Sequence, residues 1–131
     1  MIGACSAAAD PDFISLYRVG AIYNCASELK DAFRGSSDIV YGNAALDDTD
    51  DSPLADYLVA AVTFIRKQRD AGRNVLVHCQ AGKSRSAAIV IAYLMDELKL
   101  DYDAALAFLK TKRSIVRPND GFAHALRNCG E

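Results

Sequence analysis

The chain has 131 residues, of which 51% are hydrophobic and 24% are charged, and its formal net charge at pH 7 is -2. This length predicts one domain, residues 1–131, that buries about two-thirds of its unfolded surface and needs no metal or disulfide for stability. The small net charge gives no electrostatic reason to bind nucleic acid or an anionic membrane. The longest apolar run, residues 87–95, is too short to cross a bilayer, so no integral membrane association is expected.

The N-terminus lacks the basic start and the long apolar core of a signal peptide. We therefore expect an intracellular protein, located in the cytoplasm or also in the nucleus, with reduced cysteines. The cysteines show no paired short spacing, and only two histidines are available as further ligands. This pattern predicts no metal site, and we expect no cofactor.

The first half of the chain predicts a short helix, two strands and an acidic loop. Asp10 followed by Pro11 is typical of a helix N-cap with proline at the first helical position, and a turn is expected at Gly20. Residues 21–25 and 39–45 are short and rich in β-branched or aromatic side chains, which indicates buried strands. The acidic loop, residues 47–51, follows them.

The second half predicts one more strand and several helices. Ser52 and Pro53 indicate the start of a long helix that ends at Gly72 and buries one apolar stripe. Residues 74–78 predict a strand, and residues 87–95 are apolar on all sides, as in a buried helix. Asp101 is the predicted N-cap of a further helix, and residues 118–121 are predicted to lead into a last one. This alternation of strands and helices predicts an α/β fold.

The stretch from residue 75 to residue 86 holds the candidate functional site. An apolar strand ends in His78 and Cys79 and is followed by five loop residues, Gln80, Ala81, Gly82, Lys83 and Ser84. One curl of this phosphate-binding loop would point its backbone N–H groups at a common centre. Arg85 adds a planar bidentate donor, and the helix starting at Ser86 directs its positive N-terminus to the same place. We interpret the centre as a site for a phosphate dianion above the Cys79 sulfur.

The predicted chemistry is attack by a thiolate on phosphorus. Catalytic loops lower the pKa of cysteine from about 8.5 to roughly 3.5–7.5, so Cys79 is expected to rest as a thiolate and to form a cysteinyl-phosphate. The alternative, a buried inert thiol, does not explain why Gly82 and Arg85 accompany it. We expect His78 to support the loop through bonds to nearby backbone rather than to transfer protons.

The leaving alkoxide needs a proton from a carboxylic acid, and the acidic loop is the obvious source. Spacing alone does not choose among its four carboxylates, Asp47, Asp48, Asp50 and Asp51.

The pattern His-Cys, five residues, Arg-Ser resembles the signature of cysteine-dependent phosphatases, and residues 86–95 resemble the dual-specificity branch of that superfamily. Residues 1–3, 23–26 and 113–122 resemble other segments of the branch, so the resemblance covers nearly the whole chain. It implies a central mixed, mostly parallel sheet flanked by helices.

The resemblance also implies roles for particular residues. Aligning Phe64 and Ile65 with the family's Phe-Ile pair places the general acid on Asp48, with Asp47 as the alternative. Asn119 would brace the phosphate-binding loop through hydrogen bonds. Ser86 would help the thiolate leave when water hydrolyses the intermediate.

Substrate class follows from the same resemblance. We expect a catalytic core without the N-terminal segment that deepens the pocket of tyrosine-specific phosphatases, and the resemblance then implies a shallow pocket for phosphoserine, phosphothreonine and phosphotyrosine. Lys83 matches a lysine common in the lipid-phosphatase branch, whereas Gln80 replaces the other basic residue of that branch. Phosphorylated proteins are the expected substrates, and phosphoinositide hydrolysis and a catalytically silent phosphate-binding module are the alternatives.

A second thiol near Cys79 could trap an oxidised form of that residue as a disulfide. Cys5 and Cys25 are the candidates, although packing in the core is the favoured interpretation of Cys25.

Overall fold

In the part of the chain that the structure describes, four parallel strands form one sheet. The structure is a computed structural model that describes residues 2–26, 28 and 38–128. Its strands are β1 (Ile2–Ala4), β2 (Val19–Asn24), β3 (Val40–Asn43) and β4 (Asn74–Cys79), in the spatial order β1-β4-β2-β3. Each neighbouring pair is parallel, so the carboxyl ends of the strands meet at one edge of the sheet.

Helices cover both faces of this sheet. Their bounds are α1 (Cys5–Ala8), α2 (Pro11–Leu16), α3 (Ala55–Asp70), α4 (Arg85–Leu98), α5 (Tyr102–Lys110) and α6 (Asp120–Asn128). The predicted α/β fold, a mostly parallel sheet flanked by helices, is confirmed. Within the described ranges, no helix is long and apolar enough to span a bilayer.

The core divides at the central strand β4, whose side chains alternate between the two faces of the sheet. Val75 and Val77 belong to the larger cluster with α3 to α6, and Leu76 packs into the smaller one beneath α1 and α2. Ile89 and Ile91 of α4 are fully buried, and burial of each such side chain contributes about 1.5–3 kcal/mol. The prediction that residues 87–95 form a helix buried on most sides is therefore confirmed, since most of these side chains in α4 are buried.

The turn predicted at Gly20 is wrong, because Gly20 lies inside β2. The turn lies two residues earlier, where Arg18 adopts a left-handed backbone with φ 51°. The pairing of β2 with β4 is irregular between Val19 and Ala21. A glycine between them suits this irregularity, since glycine tolerates the distorted backbone of a bulge.

Two predicted helix caps are confirmed and one is wrong. The carboxylates of Asp10 and Asp101 accept hydrogen bonds from the first turns of α2 and α5, at 2.9 and 2.8 Å. Ser52 does not cap α3, which begins at Ala55 after a residue without a side-chain cap bond. The Ser52 hydroxyl instead accepts a hydrogen bond from the backbone N–H of Asp47 at 3.2 Å. Ser52 thus closes the acidic loop.

Candidate active site

The phosphate-binding loop connects the carboxyl end of β4 to the start of α4, and ligands of open α/β sheets bind at this edge. Cys79, the last residue of β4, is 2% exposed. Gly82 has a φ of 66°, a left-handed conformation that favours glycine, and it gives the loop its curl. Helix α4 begins at Arg85, one residue earlier than predicted.

The Cys79 sulfur is surrounded by hydrogen-bond donors. Its Sγ lies 3.2 Å from the Ser86 Oγ. Burial alone would raise the pKa of Cys79, but hydrogen bonds from the Ser86 hydroxyl and from the backbone N–H groups of Ser86, Gly82 and Lys83 outweigh it. The pKa of this thiol is therefore lowered from its ordinary value, which favours the thiolate.

The guanidinium of Arg85 is buried beside the loop and is held through one nitrogen. Its Nη1 donates to both carboxylate oxygens of Glu28, at 2.5 and 3.0 Å, and to the Leu46 carbonyl at 3.2 Å. Burial opposes the charged form of Arg85, but the bond to Glu28 outweighs it and raises the pKa of Arg85. The same bond lowers the pKa of Glu28. A charge-assisted pair thus fixes the arginine.

Asn119 joins three parts of the site. Its Nδ2 donates to the Asp48 Oδ1 at 3.0 Å, and its backbone N–H donates to the Ser84 Oγ at 3.0 Å. Its Oδ1 accepts from the backbone N–H of Phe122 at 2.9 Å, in the first turn of α6. The acidic loop, the phosphate-binding loop and α6 therefore meet at one residue.

The acidic loop places its carboxylates in different surroundings. Asp48 lies close enough for its charge to add to the raised pKa of Arg85 and to oppose, without reversing, the lowered pKa of Glu28. Asp50 accepts a hydrogen bond from the Gly121 backbone N–H at 3.3 Å. A Cβ atom at Gly121 would overlap the Asp50 carbonyl, so the loop and α6 touch through backbone. Asp51 is exposed.

The segment preceding α6 holds the outer side of the phosphate-binding loop. Arg113 donates from Nη2 to the Ala81 carbonyl and from Nε to the Gly82 carbonyl, both at 2.9 Å. The backbone N–H of Arg117 donates to the Lys83 carbonyl at 2.7 Å. With the bond from Asn119 to Ser84, each of the loop's last four residues has a partner in this segment.

Two of these contacts were missed by the sequence reasoning. Glu28 is 57 residues from Arg85 and belongs to no recognisable motif. Its position shortly after β2, at the carboxyl edge of a parallel sheet, is the feature of the sequence that could have indicated a place near the site. Arg113 lies 31 residues from Gly82, and only its membership of the family-like segment 113–122 pointed to it.

The remaining predicted residues lie in buried positions at the same edge. His78 is 3% exposed in β4, next to Cys79. The backbone N–H of Cys25 donates to the His78 carbonyl at 2.8 Å, and the pairing of Asn24 with His78 puts Cys25 beside Cys79. Burial is the main cause that raises the pKa of Cys25, and the nearby Cys79 adds to it.

The side chain of Cys5 and the whole of Cys129 lie outside the described residues. No cluster of three His, Cys, Asp or Glu side chains in the described ranges could hold a metal ion.

Known proteins resemble this chain over its whole length. The family model for the catalytic domain of dual specificity phosphatases matches residues 1–131. Dual specificity protein phosphatase 1 of Arabidopsis thaliana is 37% identical over 127 residues, which cover 97% of this chain and 63% of the plant protein. Dual specificity protein phosphatase 1 of Mus musculus is 34% identical over 121 residues, which cover 92% of this chain and 32% of the mouse protein. The chain therefore spans only part of each relative's length.

Solved structures share the fold. The crystal structure of DUSP15 has a TM-score of 0.91 and 31% identity, covering 98% of this chain and 80% of that chain. The crystal structure of human DUSP28 also has a TM-score of 0.91, at 24% identity, covering 98% of this chain and 88% of that chain. The resemblance to the dual-specificity branch is confirmed. The chain belongs to the family of dual specificity phosphatase catalytic domains, whose members are cysteine-dependent protein phosphatases.

Proposed function

We propose that this chain is a dual-specificity protein phosphatase, a single catalytic domain spanning residues 1–131, that acts on phosphotyrosine, phosphoserine and phosphothreonine in phosphorylated proteins. Cys79 is the nucleophile, Arg85 binds the phosphate, and Asp48 is the general acid and base. Phosphate oxygens are bound by the loop residues Gln80, Ala81, Gly82, Lys83 and Ser84.

The observation that carries this proposal is the set of donors around the Cys79 sulfur. One hydroxyl and three backbone N–H groups converge on a buried thiol and lower its pKa. Lowering the pKa of a thiol increases the fraction present as thiolate, which is the nucleophilic form, at neutral pH. The same kind of preorganised donors stabilises the oxygens of a phosphoryl group as charge redistributes in the transition state.

The reaction proceeds in two displacements. The Cys79 thiolate attacks phosphorus, the S–P bond forms, the ester P–O bond breaks, and Asp48 gives its proton to the departing oxygen. Asp48, now ionised, takes a proton from a water molecule that attacks the cysteinyl-phosphate. The S–P bond then breaks, and the Ser86 hydroxyl, 3.2 Å from the sulfur, donates to the released thiolate.

Asp48 is favoured over Asp47 as the acid because of its contacts. Its Oδ1 accepts a hydrogen bond from Asn119, and its charge acts on Arg85. Asp47 instead contributes its backbone N–H to the bond with Ser52 that closes the loop. His78 supports the loop from β4.

Phosphoproteins are favoured over phosphoinositides by the charges at the site. Lys83 is exposed, as a lipid-directed member would require, but the acidic loop is exposed as well. Its four carboxylates would repel a head group that carries several phosphates. A peptide with one phosphorylated side chain meets less repulsion.

The primary experiment measures hydrolysis of p-nitrophenyl phosphate and of an alkyl phosphate by the wild-type chain and three variants. Cys79→Ser should lose at least about a thousandfold in kcat because it lacks the nucleophile. Asp48→Ala should lose more on the alkyl phosphate, whose leaving group needs the proton, than on the aryl one. Asp47→Ala is the matched control and should change neither. Retained turnover by Cys79→Ser would exclude the mechanism.

Two further measurements separate the alternatives. Turnover of phosphopeptides and of soluble phosphoinositides is compared at equal concentration for wild type and Lys83→Ala. Lipid hydrolysis would be favoured if wild type turned over the phosphoinositide faster than the peptide and if Lys83→Ala lost turnover of the phosphoinositide alone. A stoichiometric burst of phosphate in rapid-quench experiments excludes a silent binding module, which would release none.

A further inference from the structure

Two peptide groups of the phosphate-binding loop have partners on both sides. On the outer side, the carbonyls of Ala81 and Gly82 accept hydrogen bonds from Arg113, each at 2.9 Å. On the inner side, the same two peptide units carry the N–H groups of Gly82 and Lys83, which act on the Cys79 sulfur as donors and lower the pKa of its thiol. A trans peptide unit is planar, with its C=O and N–H pointing in opposite directions. A group that fixes the carbonyl therefore fixes the direction of the N–H.

We propose that Arg113 is a positioning residue for the nucleophile: its guanidinium holds the Ala81–Gly82 and Gly82–Lys83 peptide units so that their N–H groups point at the Cys79 sulfur. The role rests on the proposed function, because the direction of these groups matters only if the sulfur attacks. Arg113 acts through the loop backbone and need not touch the substrate.

The shape of the arginine side chain explains how one residue serves both carbonyls. Nε and Nη2 lie on the same edge of the planar guanidinium, and their N–H groups point the same way in a fixed geometry. The positive φ of Gly82, 66°, bends the backbone between the two carbonyls. The cation also polarises each peptide unit, which strengthens the N–H group as a donor at its other end. A lysine would supply the charge without the fork.

A matched control lies four residues further along the chain. Arg117 holds the Lys83 carbonyl through its backbone N–H, and its residue is exposed. Replacing that side chain removes a cation from the same segment while the hydrogen bond to the loop remains. Comparing variants of Arg113 with a variant of Arg117 therefore separates the effect of holding the peptide units from the effect of removing a nearby positive charge.

Other groups also act on the thiol and stay unchanged in the experiment. Arg85 at the start of α4 and Cys25, the residue after β2, interact with it through charge. Glu28 and Asp48 act on Arg85 and so face the same centre. His78 precedes Cys79 in β4, and Lys83 lies within the loop. Because none of these is replaced, a change in the titration of Cys79 reports on Arg113.

The experiment measures the rate at which iodoacetamide alkylates Cys79 across a pH series, with peptide mapping by mass spectrometry to follow that cysteine alone. Wild type is compared with Arg113→Lys, Arg113→Gln and Arg117→Gln, and melting curves establish that each variant is folded. Steady-state kcat and KM for p-nitrophenyl phosphate are measured on the same preparations.

We expect the alkylation midpoint to move to higher pH in both Arg113 variants, because fewer oriented donors stabilise the thiolate. Below the midpoint, the alkylation rate should fall roughly three- to tenfold, with a larger effect in Arg113→Gln than in Arg113→Lys, and the acidic limb of kcat/KM should move with it. Arg117→Gln should match wild type.

An unchanged midpoint in both Arg113 variants, with a rise confined to KM, would overturn the proposal and make Arg113 a substrate contact. An equal midpoint shift in Arg117→Gln would overturn it in favour of long-range charge. The alkylation measurement needs no turnover, so absence of phosphatase activity in wild type would sink the proposed function while the midpoints still test the orientation of the loop.

Discussion

Arg85 reaches the phosphate site with one nitrogen already occupied. The described contacts of its guanidinium all use Nη1, which is shared by Glu28 and the Leu46 carbonyl. If Arg85 binds phosphate as proposed, the edge formed by Nε and Nη2 remains for the phosphate oxygens, in the bidentate geometry that arginine offers to oxyanions. Glu28 is therefore expected to set the direction of Arg85 rather than to compete with the substrate.

The first prediction concerns Glu28→Gln, which keeps one acceptor and removes the charge. The Arg85 side chain is 7% exposed, so it would lose its charged partner in a buried position and become less ordered. We expect tungstate binding, measured by calorimetry, to weaken roughly three- to tenfold.

Glu97→Gln is the control, since Glu97 is an exposed carboxylate 3.4 Å from Arg66 on the surface. If Glu28→Gln bound tungstate more tightly than wild type, Glu28 would be a competitor of the anion, and the positioning role would be wrong.

At the scale of elements, α6 begins with contacts that serve both stability and the site. Asn119 lies directly before α6, and its Oδ1 accepts the Phe122 N–H, as an N-cap does. Its Nδ2 holds Asp48 from the other side. The start of one helix thus sets the position of the proposed acid.

The second prediction is that Asn119→Asp separates these two tasks. An aspartate keeps an oxygen for the cap but loses the donor to Asp48 and adds a like charge beside it. We expect the melting temperature to stay near that of wild type. The hydrolysis rate of an alkyl phosphate should fall more than that of p-nitrophenyl phosphate, because the acid is displaced.

Asn119→Ala is the companion variant. It removes the cap as well, so it should lose about 1 kcal/mol of unfolding free energy in addition. Equal losses on both phosphates in Asn119→Asp would mean that Asn119 acts on the phosphate-binding loop alone.

The adjacent strands β2 and β4 place Cys25 beside Cys79. Peroxide oxidises a thiolate to a sulfenic acid with release of hydroxide, and a neighbouring thiol then forms a disulfide with loss of water. The third prediction is that mild peroxide produces a Cys25–Cys79 bridge, detected by peptide mapping and by an intact-mass loss of two hydrogens. Cys25→Ser should instead show sulfinic acid at Cys79. The prediction would be wrong if Cys79 were oxidised irreversibly at the same rate in wild type and in Cys25→Ser.

At the scale of the whole molecule, the site is assembled from parts that are distant in the sequence. Glu28, the acidic loop, residues 79–86 and residues 113–119 meet only in the folded chain. An anion bound at their meeting point should therefore stabilise the native state as a whole.

The fourth prediction is that tungstate at about a hundred times its Kd adds about 2.7 kcal/mol and raises the melting temperature on the order of 10 °C. Arg85→Ala should lose most of this shift in a thermal melt. Arg69, Arg73 and Lys112 line a second cavity of about 490 Å³ near the start of β4, so Arg73→Gln is the control. If Arg73→Gln lost the tungstate-induced shift in melting temperature, the anion would bind in this cavity instead.

Local patterns predicted the parts of this molecule that depend on neighbouring residues. The caps at Asp10 and Asp101, the strand before Cys79 and the buried helix after Arg85 follow from spacing and composition. Ser52 was wrongly predicted to cap α3 because its hydroxyl accepts a hydrogen bond from the acidic loop, a contact that the local cap pattern does not reveal. Glu28 and Arg113 were missed because their partners lie 57 and 31 residues away and are brought close by the parallel sheet.

The contact between Gly121 and Asp50 has a practical consequence for isolating the partners of this protein. A single methyl group at position 121 would push on the backbone of the acidic loop while leaving the thiolate and its donors in place. We expect Gly121→Ala to bind phosphorylated ligands yet hydrolyse them slowly, because the phosphate-binding loop remains and the proposed acid Asp48 is displaced. Such a chain would capture its own substrates, and it would do so with every reactive side chain intact.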